Sequence, residues 1–146
     1  MPRKTDSNAP GDWLFFVESD LDLLHVGVER ELSYVLCRSK LAELLEKVMK
    51  AELIRRGWIL DRTHDLRKIG GYLAERNSDL MAEIRPLCDR LADAYFIDRY
   101  PGFDLDDPDW PILRAQLESV TALAATIRSR LPASQPWERS PYLLSC

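Results

Sequence analysis

A polar turn with an imidazole at its centre, Arg62-Thr63-His64-Asp65-Leu66, is the segment of this chain most suited to chemistry. Side chains on a turn can reach a ligand, and a histidine can gain or lose a proton near neutral pH. From Lys47 to Lys68, seven basic residues accompany only three acidic ones, so positive charge is concentrated around the turn. This concentration predicts a phosphate-binding surface. The side chains expected to contact phosphate are Lys47, Lys50, Arg55, His64 and Arg99.

The same turn also suggests a ribonuclease. Cleavage of RNA needs a base that takes the 2′-hydroxyl proton and a cation that stabilises the phosphorane-like transition state. His64 would supply the base, and Arg62 or Arg99 would supply the cation. Binding of RNA without cleavage needs fewer specialised groups, because contacts to phosphate require neither a base nor a group that stabilises a transition state.

A purely structural interpretation remains beside these two, since a charge run is typical of a solvated helix face with capping arginines. On this interpretation Glu46 and Lys47 pair within the fold. His64 and Asp65 then cap the helix that follows them. Arg99 holds an acidic loop of the residues after it.

Several large enzyme classes lack their motifs in this sequence. There is no Gly-x-x-x-x-Gly-Lys phosphate loop, no Gly-x-Ser-x-Gly elbow and no His-Glu-x-x-His metal helix. Neither histidine, His25 or His64, belongs to a Glu-x-x-His pair, so we expect no metal and no bound cofactor. The net charge of −4 excludes a wholly basic surface, and any nucleic-acid site must therefore be local.

Cysteine usage and hydropathy indicate the compartment. The three cysteines Cys37, Cys88 and Cys146 are odd in number and widely spaced, which signals neither a disulfide framework nor a zinc site. The longest early apolar run, Trp13 to Val17, is too short for a signal peptide or a membrane span. We expect a soluble cytoplasmic protein with no membrane partner.

Two helices must precede the basic turn. Asp12 can cap a first helix that ends near Gly27, because apolar residues then recur at spacings of three and four. The segment from Glu31 to Arg56 contains no Pro or Gly and predicts the longest helix. Gly57 follows it and can supply the left-handed residue that stops a helix.

Two weaker helices follow the turn. Thr63 or Asp65 can start a third helix, in which Gly70 and Gly71 each cost about 1 kcal/mol relative to Ala. Ser78 is a good N-cap for a fourth helix that runs to Ile97. Pro86 lies inside it, so that helix either starts near Arg85 or kinks.

The last helix has the most regular apolar pattern, with Pro108 or Pro111 in its first turn and Pro132 ending it. Its seam is Leu113, Leu117, Val120, Ala124, Ile127 and Leu131. No segment alternates with period two, so we expect an all-α fold, an up-and-down bundle of four long helices plus a shorter fifth helix. The expected organisation is a flexible N-terminal tail over 1–11, the bundle over 12–131 and an extended C-terminal tail over 132–146.

Four pieces in this order resemble the HEPN domain family across residues 12–131. They are Trp13 with Glu18, Asp20 and Leu21; Glu46-Lys47-x-x-Lys50-Ala51; Thr63-His64-Asp65-Leu66; and Arg99-Tyr100-Pro101. The resemblance implies a bundle of four or five helices, frequent homodimerisation and a role in binding nucleotides or RNA. It also implies a setting beside a small nucleotidyltransferase, in prokaryotic toxin–antitoxin or defence modules.

The sequence departs from the motif of those HEPN relatives that are metal-independent ribonucleases, an Arg followed after four to six residues by a His. Seven residues separate Arg56 from His64, and one separates Arg62 from it. Arg90 is followed by Tyr95-Phe96-Ile97 where the His would stand. The resemblance therefore favours a nucleotide- or RNA-binding module with a nucleotidyltransferase-like partner. The alternatives are an endoribonuclease that uses a displaced His64 with Arg62, and a non-catalytic protein-interaction module.

Overall fold

The computed structural model describes residues 7–58, 62–98, 100–102 and 105–132 of the chain. Within these ranges every regular element is a helix, which confirms the all-α prediction. The helices are α1 (Pro10–Glu29), α2 (Tyr34–Arg55), α3 (Leu66–Glu75), α4 (Met81–Leu91), α5 (Ala94–Ile97) and α6 (Trp110–Ser129). Only α1, α2 and α6 reach 20 residues, so the described part holds three long helices where four were expected.

Local chemistry sets several helix ends as the sequence predicts. Gly57 has a φ of +89° directly after α2, the left-handed conformation that stops a helix. The Asp65 carboxylate caps α3 by accepting hydrogen bonds from the backbone N–H of Arg67 at 3.0 Å and of Lys68 at 3.3 Å. Asp109 caps α6 in the same way, and Pro111 lies in the first turn of that helix.

Two predicted caps are wrong. Helix α1 begins at Pro10, so the last two residues of the expected 1–11 tail are helical, and the Asp12 carboxylate accepts a hydrogen bond from Ser7 instead of capping. Helix α4 begins at Met81, three residues after Ser78, whose hydroxyl accepts a hydrogen bond from the N–H of Leu80 and does not cap the helix. Of the C-terminal segment 132–146, all but Pro132 lies outside the described residues.

The predicted fourth helix is divided in two. Pro86 is tolerated inside α4, and the helix ends at Leu91 before the short α5 begins at Ala94. This break lets α5 pack against α2, where Arg38 binds the buried carboxylate of Asp98. A long-range ion pair therefore joins the segment after α5 to α2.

Helix α2 is the central element, because it contacts α1, α3, α4, α5 and α6. Its apolar core residues are Cys37, Leu41, Ala42, Leu44, Leu45, Val48, Met49, Ala51, Leu53 and Ile54. Polar residues on such a helix are enclosed too, and Glu46, Lys50 and Glu52 are all buried. Buried charges need partners, and the partners of these three lie in two separate clusters, which are described below.

The hydropathy of the helices and the state of the cysteines can also be compared with the sequence predictions. None of the described helices is long and apolar enough to span a bilayer. Cys37 and Cys88 are free thiols within the core, while Cys146 lies outside the described residues.

Candidate functional site

A buried carboxylate on α2 joins the predicted turn to the core. Lys50 lies one helical turn after Glu46 and donates from Nζ to Glu46 Oε2 at 3.0 Å. From the turn, His64 Nδ1 lies 3.0 Å from the same oxygen and 3.1 Å from Oε1. Glu46 is only 4% exposed and Lys50 3%, whereas the His64 side chain is 57% exposed. The pair in the core thus holds an imidazole at the surface.

Lys50 is enclosed further by an aromatic ring. Its Nζ lies 5.4 Å from the centre of the Trp13 ring, a cation–π distance. Trp13 is itself anchored, because its indole N–H donates to the carbonyl of Ser7 at 2.8 Å. The burial of Lys50 makes it a support for Glu46 and places it away from direct contact with a ligand.

Lys47 is more accessible than Lys50. Its Nζ lies 3.5 Å from Glu43 Oε2 and 5.7 Å from the centre of the Phe16 ring, which is 55% exposed. The structural interpretation that paired Glu46 with Lys47 is therefore wrong, since Glu46 binds Lys50. Trp13, Phe16, Lys47 and His64 form what we call the aromatic–basic surface.

The turn is fixed on both sides of His64. Thr63 Oγ1 accepts a hydrogen bond from the N–H of Asp65 at 3.1 Å, and Asp65 caps α3. Of the expected capping pair, Asp65 performs the task and His64 binds Glu46 instead. Arg62 is exposed two residues before His64, so these two predicted catalytic side chains share the turn.

Arg55 belongs to a different cluster. Its Nε and Nη2 donate to the two oxygens of Glu52 at 2.7 and 2.9 Å, and this hydrogen bonding raises the pKa of the Arg55 guanidinium. Arg130 of α6 binds the same buried carboxylate at 2.9 Å. Nine residues of helix place Arg55 about 13 Å along the axis from Glu46. The structure therefore does not bring Arg55 to the aromatic–basic surface.

Arg99 lies outside the described residues, and another arginine holds the acidic segment. Arg38 on α2 donates from Nε and Nη2 to Asp98 at 2.5 and 2.8 Å and from Nη1 to Asp106 at 2.9 Å. The hydrogen bond to Asp98 raises the pKa of the Arg38 guanidinium. Sequence reasoning missed this residue. Its signal was a basic side chain on an apolar helix with no acidic residue three or four positions away.

A metal site was not expected from the sequence. Among the described residues, no three side chains of His, Cys, Asp or Glu gather in a group that could hold a metal ion. The aromatic–basic surface offers an oriented imidazole, a lysine and an exposed aromatic ring.

Comparisons with known proteins identify the family. Neither the curated proteins nor the solved structures include a significant match to this chain. A profile described as the HEPN domain matches residues 12–131, which is most of the chain. The match confirms the resemblance seen in the sequence. The chain belongs to the HEPN domain family, whose helical modules are generally associated with nucleotides and RNA.

Proposed function

We propose that this HEPN domain binds a nucleotide or RNA at the aromatic–basic surface without cleaving it. The observation that carries the proposal is the exposed imidazole of His64, held by the buried Glu46–Lys50 pair. Lys47, the residue after Glu46 on α2, lies over the exposed ring of Phe16. A preformed arrangement of this kind lowers the entropic cost of binding, because the groups need little reordering.

Each group has a separate task in this proposal. Lys47 and His64 contact phosphate oxygens, and Arg62 lies on the same turn as His64. The exposed face of Phe16 stacks on a base, an interaction that tolerates any base type. Lys50 and Glu46 orient the imidazole and do not touch the ligand.

Titration with short single-stranded RNA and with ATP tests the proposal. Lys47→Ala should weaken binding and lower the salt slope by about 0.7, the value for one lost phosphate contact on a single strand. Lys40→Ala is the matched control, because Lys40 lies on the same helix and binds the same Glu43. Equal effects of the two variants would count against the proposal.

The aromatic contribution has its own pair of variants. Phe16→Ala should cost about 1–3 kcal/mol of RNA binding, the value of one stacked base. Leu23→Ala is the control, since Leu23 is also on α1 and is 74% exposed. An unchanged affinity of Phe16→Ala for RNA would remove Phe16 from the site.

Cleavage of RNA is the second candidate function, and the Glu46–His64 contact is the observation that favours it. A carboxylate that accepts a hydrogen bond from Nδ1 fixes the tautomer in which Nε2 is the base. Arg62 would then stabilise the transition state. End-labelled RNA incubated without metal on a denaturing gel distinguishes the two functions. Cleavage that disappears in His64→Ala and falls in Glu46→Gln would establish a ribonuclease, and intact RNA favours binding.

We further propose, from the family membership, a homodimer and a nucleotidyltransferase-like partner in a toxin–antitoxin or defence module. The exposed apolar side chains of Leu23 and Leu36 support an interface with another protein surface. Light scattering at micromolar concentration tests the dimer. Co-purification with proteins encoded nearby tests the partner. A complex that forms equally well with and without nucleotide would favour an interaction module.

A further inference from the structure

Four arginines gather where α2, α3 and α6 end. Arg55 is the last residue of α2 and Arg56 its C-cap, while Arg76 and Arg130 are the C-caps of α3 and α6. We call this cluster the arginine end. Two carboxylates, Glu52 and Asp79, bind within it.

The two carboxylates have different environments. Glu52 has no exposed side-chain surface and lies between Arg55 and Arg130, so it belongs to the core. The Asp79 side chain is 64% exposed and binds Arg130 with both oxygens, Oδ1 to Nη1 at 3.0 Å and Oδ2 to Nη2 at 2.5 Å. A guanidinium presents this same two-pronged geometry to a phosphate group.

The guanidinium groups of Arg56 and Arg76 also belong to this cluster and carry N–H donors. Arg56 Nη2 donates to the carbonyl of Arg76 at 2.6 Å, and Arg76 Nη1 donates to the carbonyl of Tyr72 at 3.0 Å. Each guanidinium carries five N–H donors. These bonds to helix-end carbonyls therefore use only a part of the donor capacity of either arginine.

The electrostatics at Asp79 favour an anion even though three helix C-termini, with their partial negative charge, lie here. The hydrogen bonds from Arg130, with Arg56 also nearby, hold the pKa of the exposed Asp79 below its ordinary value. The arginines thus favour the ionised form of this carboxylate.

We infer that the arginine end is a second anion site, in which a phosphate group replaces the Asp79 carboxylate on Arg130 and is also bound by Arg56 and Arg76. The ligand chemistry is that of a phosphodiester or polyphosphate. Asp79 is then an internal competitor that occupies the site until phosphate arrives. This inference goes beyond the function proposed above, because it concerns other residues at the far end of α2.

Titration of the whole chain with inorganic tripolyphosphate, followed by amide NMR, tests the inference. Signals of Arg56, Arg76, Asp79 and Arg130 should shift together. Asp79→Asn removes the competing charge and should tighten binding about fivefold, the effect of one unit charge at about 4 Å in water. Asp93→Asn is the matched control, since Asp93 is an exposed aspartate bound to Arg67.

Loss of the arginines should have the opposite effect. Arg56→Ala and Arg76→Ala should each weaken tripolyphosphate binding severalfold, whereas Arg114→Ala, which loses an exposed pair with Glu31, should not. Shifts confined to other parts of the molecule, or no tightening in Asp79→Asn, would overturn the inference and leave the cluster with a structural role alone.

Competition identifies the source of the phosphate. Displacement of tripolyphosphate by ATP alone indicates a terminal polyphosphate, displacement by single-stranded RNA alone indicates a backbone, and displacement by both indicates that the site accepts either. Displacement by neither would refute the assignment. Lys47→Ala should leave these shifts unchanged, so failure of the aromatic–basic surface and failure of the arginine end are separate results.

Discussion

Two adjacent glycines in α3 should respond oppositely to the same substitution. Helix α3 directly follows the turn that carries His64, and Gly70 and Gly71 lie in its interior. A Cβ added at Gly71 would meet nothing within 4 Å, while one at Gly70 would lie 3.1 Å from Cys88 Sγ. The chemical change is identical, so any difference reports the packing.

The magnitudes follow from helix propensity and from crowding. Gly71→Ala should raise the free energy of unfolding by about 1 kcal/mol, which raises Tm by about 2–4 °C in a chain of this size. Gly70→Ala gains the same propensity but crowds the Cys88 thiol, which lies 3.6 Å from Met49 Sδ and 3.4 Å from the Leu66 carbonyl. Because overpacking costs about 1–3 kcal/mol, the net change should be a loss of about 0–2 kcal/mol.

Urea and thermal denaturation of the two single variants give the comparison. Cys88→Ala provides the control, because without the sulfur Gly70→Ala should recover most of the stabilisation that Gly71→Ala shows. The coupling between Gly70 and Cys88 is then the quantity measured. Equal stabilisation by Gly70→Ala and Gly71→Ala in the parent chain would refute the argument from close packing.

Three further predictions concern buried polar groups. Glu46→Gln should destabilise the fold by about 3 kcal/mol in urea, because it leaves Lys50 buried without a charged partner; His64→Gln, which keeps that pair, should cost clearly less. Arg38→Ala should cost about 3–5 kcal/mol by stranding the buried Asp98, and Arg38→Lys should restore part of it. Burial raises the pKa of the Cys88 thiol to about 11, so alkylation at pH 8, followed by peptide mass spectrometry, should proceed only as fast as the core opens.

Three helix ends are predicted correctly from the sequence, because their determinants are local, whereas the caps predicted at Asp12 and Ser78 are wrong. Gly57, Asp65 and Asp109 act through their own backbone conformation or through N–H groups two or three residues away. The break between α4 and α5 has no such local signal in the sequence. Arg38 binds Asp98, 60 residues further along the chain and just after α5, and no periodicity reveals this contact.

Some features of the candidate site can likewise be predicted from the sequence, and others depend on the packing of the helices. The exposure of His64 follows from its place on a turn, which the sequence shows. The different roles of Lys47 and Lys50 do not, because the two residues lie three positions apart on one helix. Lys50 is buried beneath Trp13, and Lys47 remains partly accessible beside Phe16. Only the packing of α1 against α2 decides which lysine can meet a ligand.

The charged residues of α2 share one property that explains how the site is positioned. Arg38 binds Asp98 after α5, Glu46 binds His64 before α3, and Glu52 binds Arg130 after α6. Apolar contacts around a central helix tolerate small shifts of its neighbours, whereas an ion pair with defined geometry does not. Each buried charge therefore fixes a different segment against α2. His64 is one of these partners, so the ion pairs that position the helices also orient its imidazole. A substitution at Glu46 should therefore reduce both the stability of the fold and the affinity for a ligand.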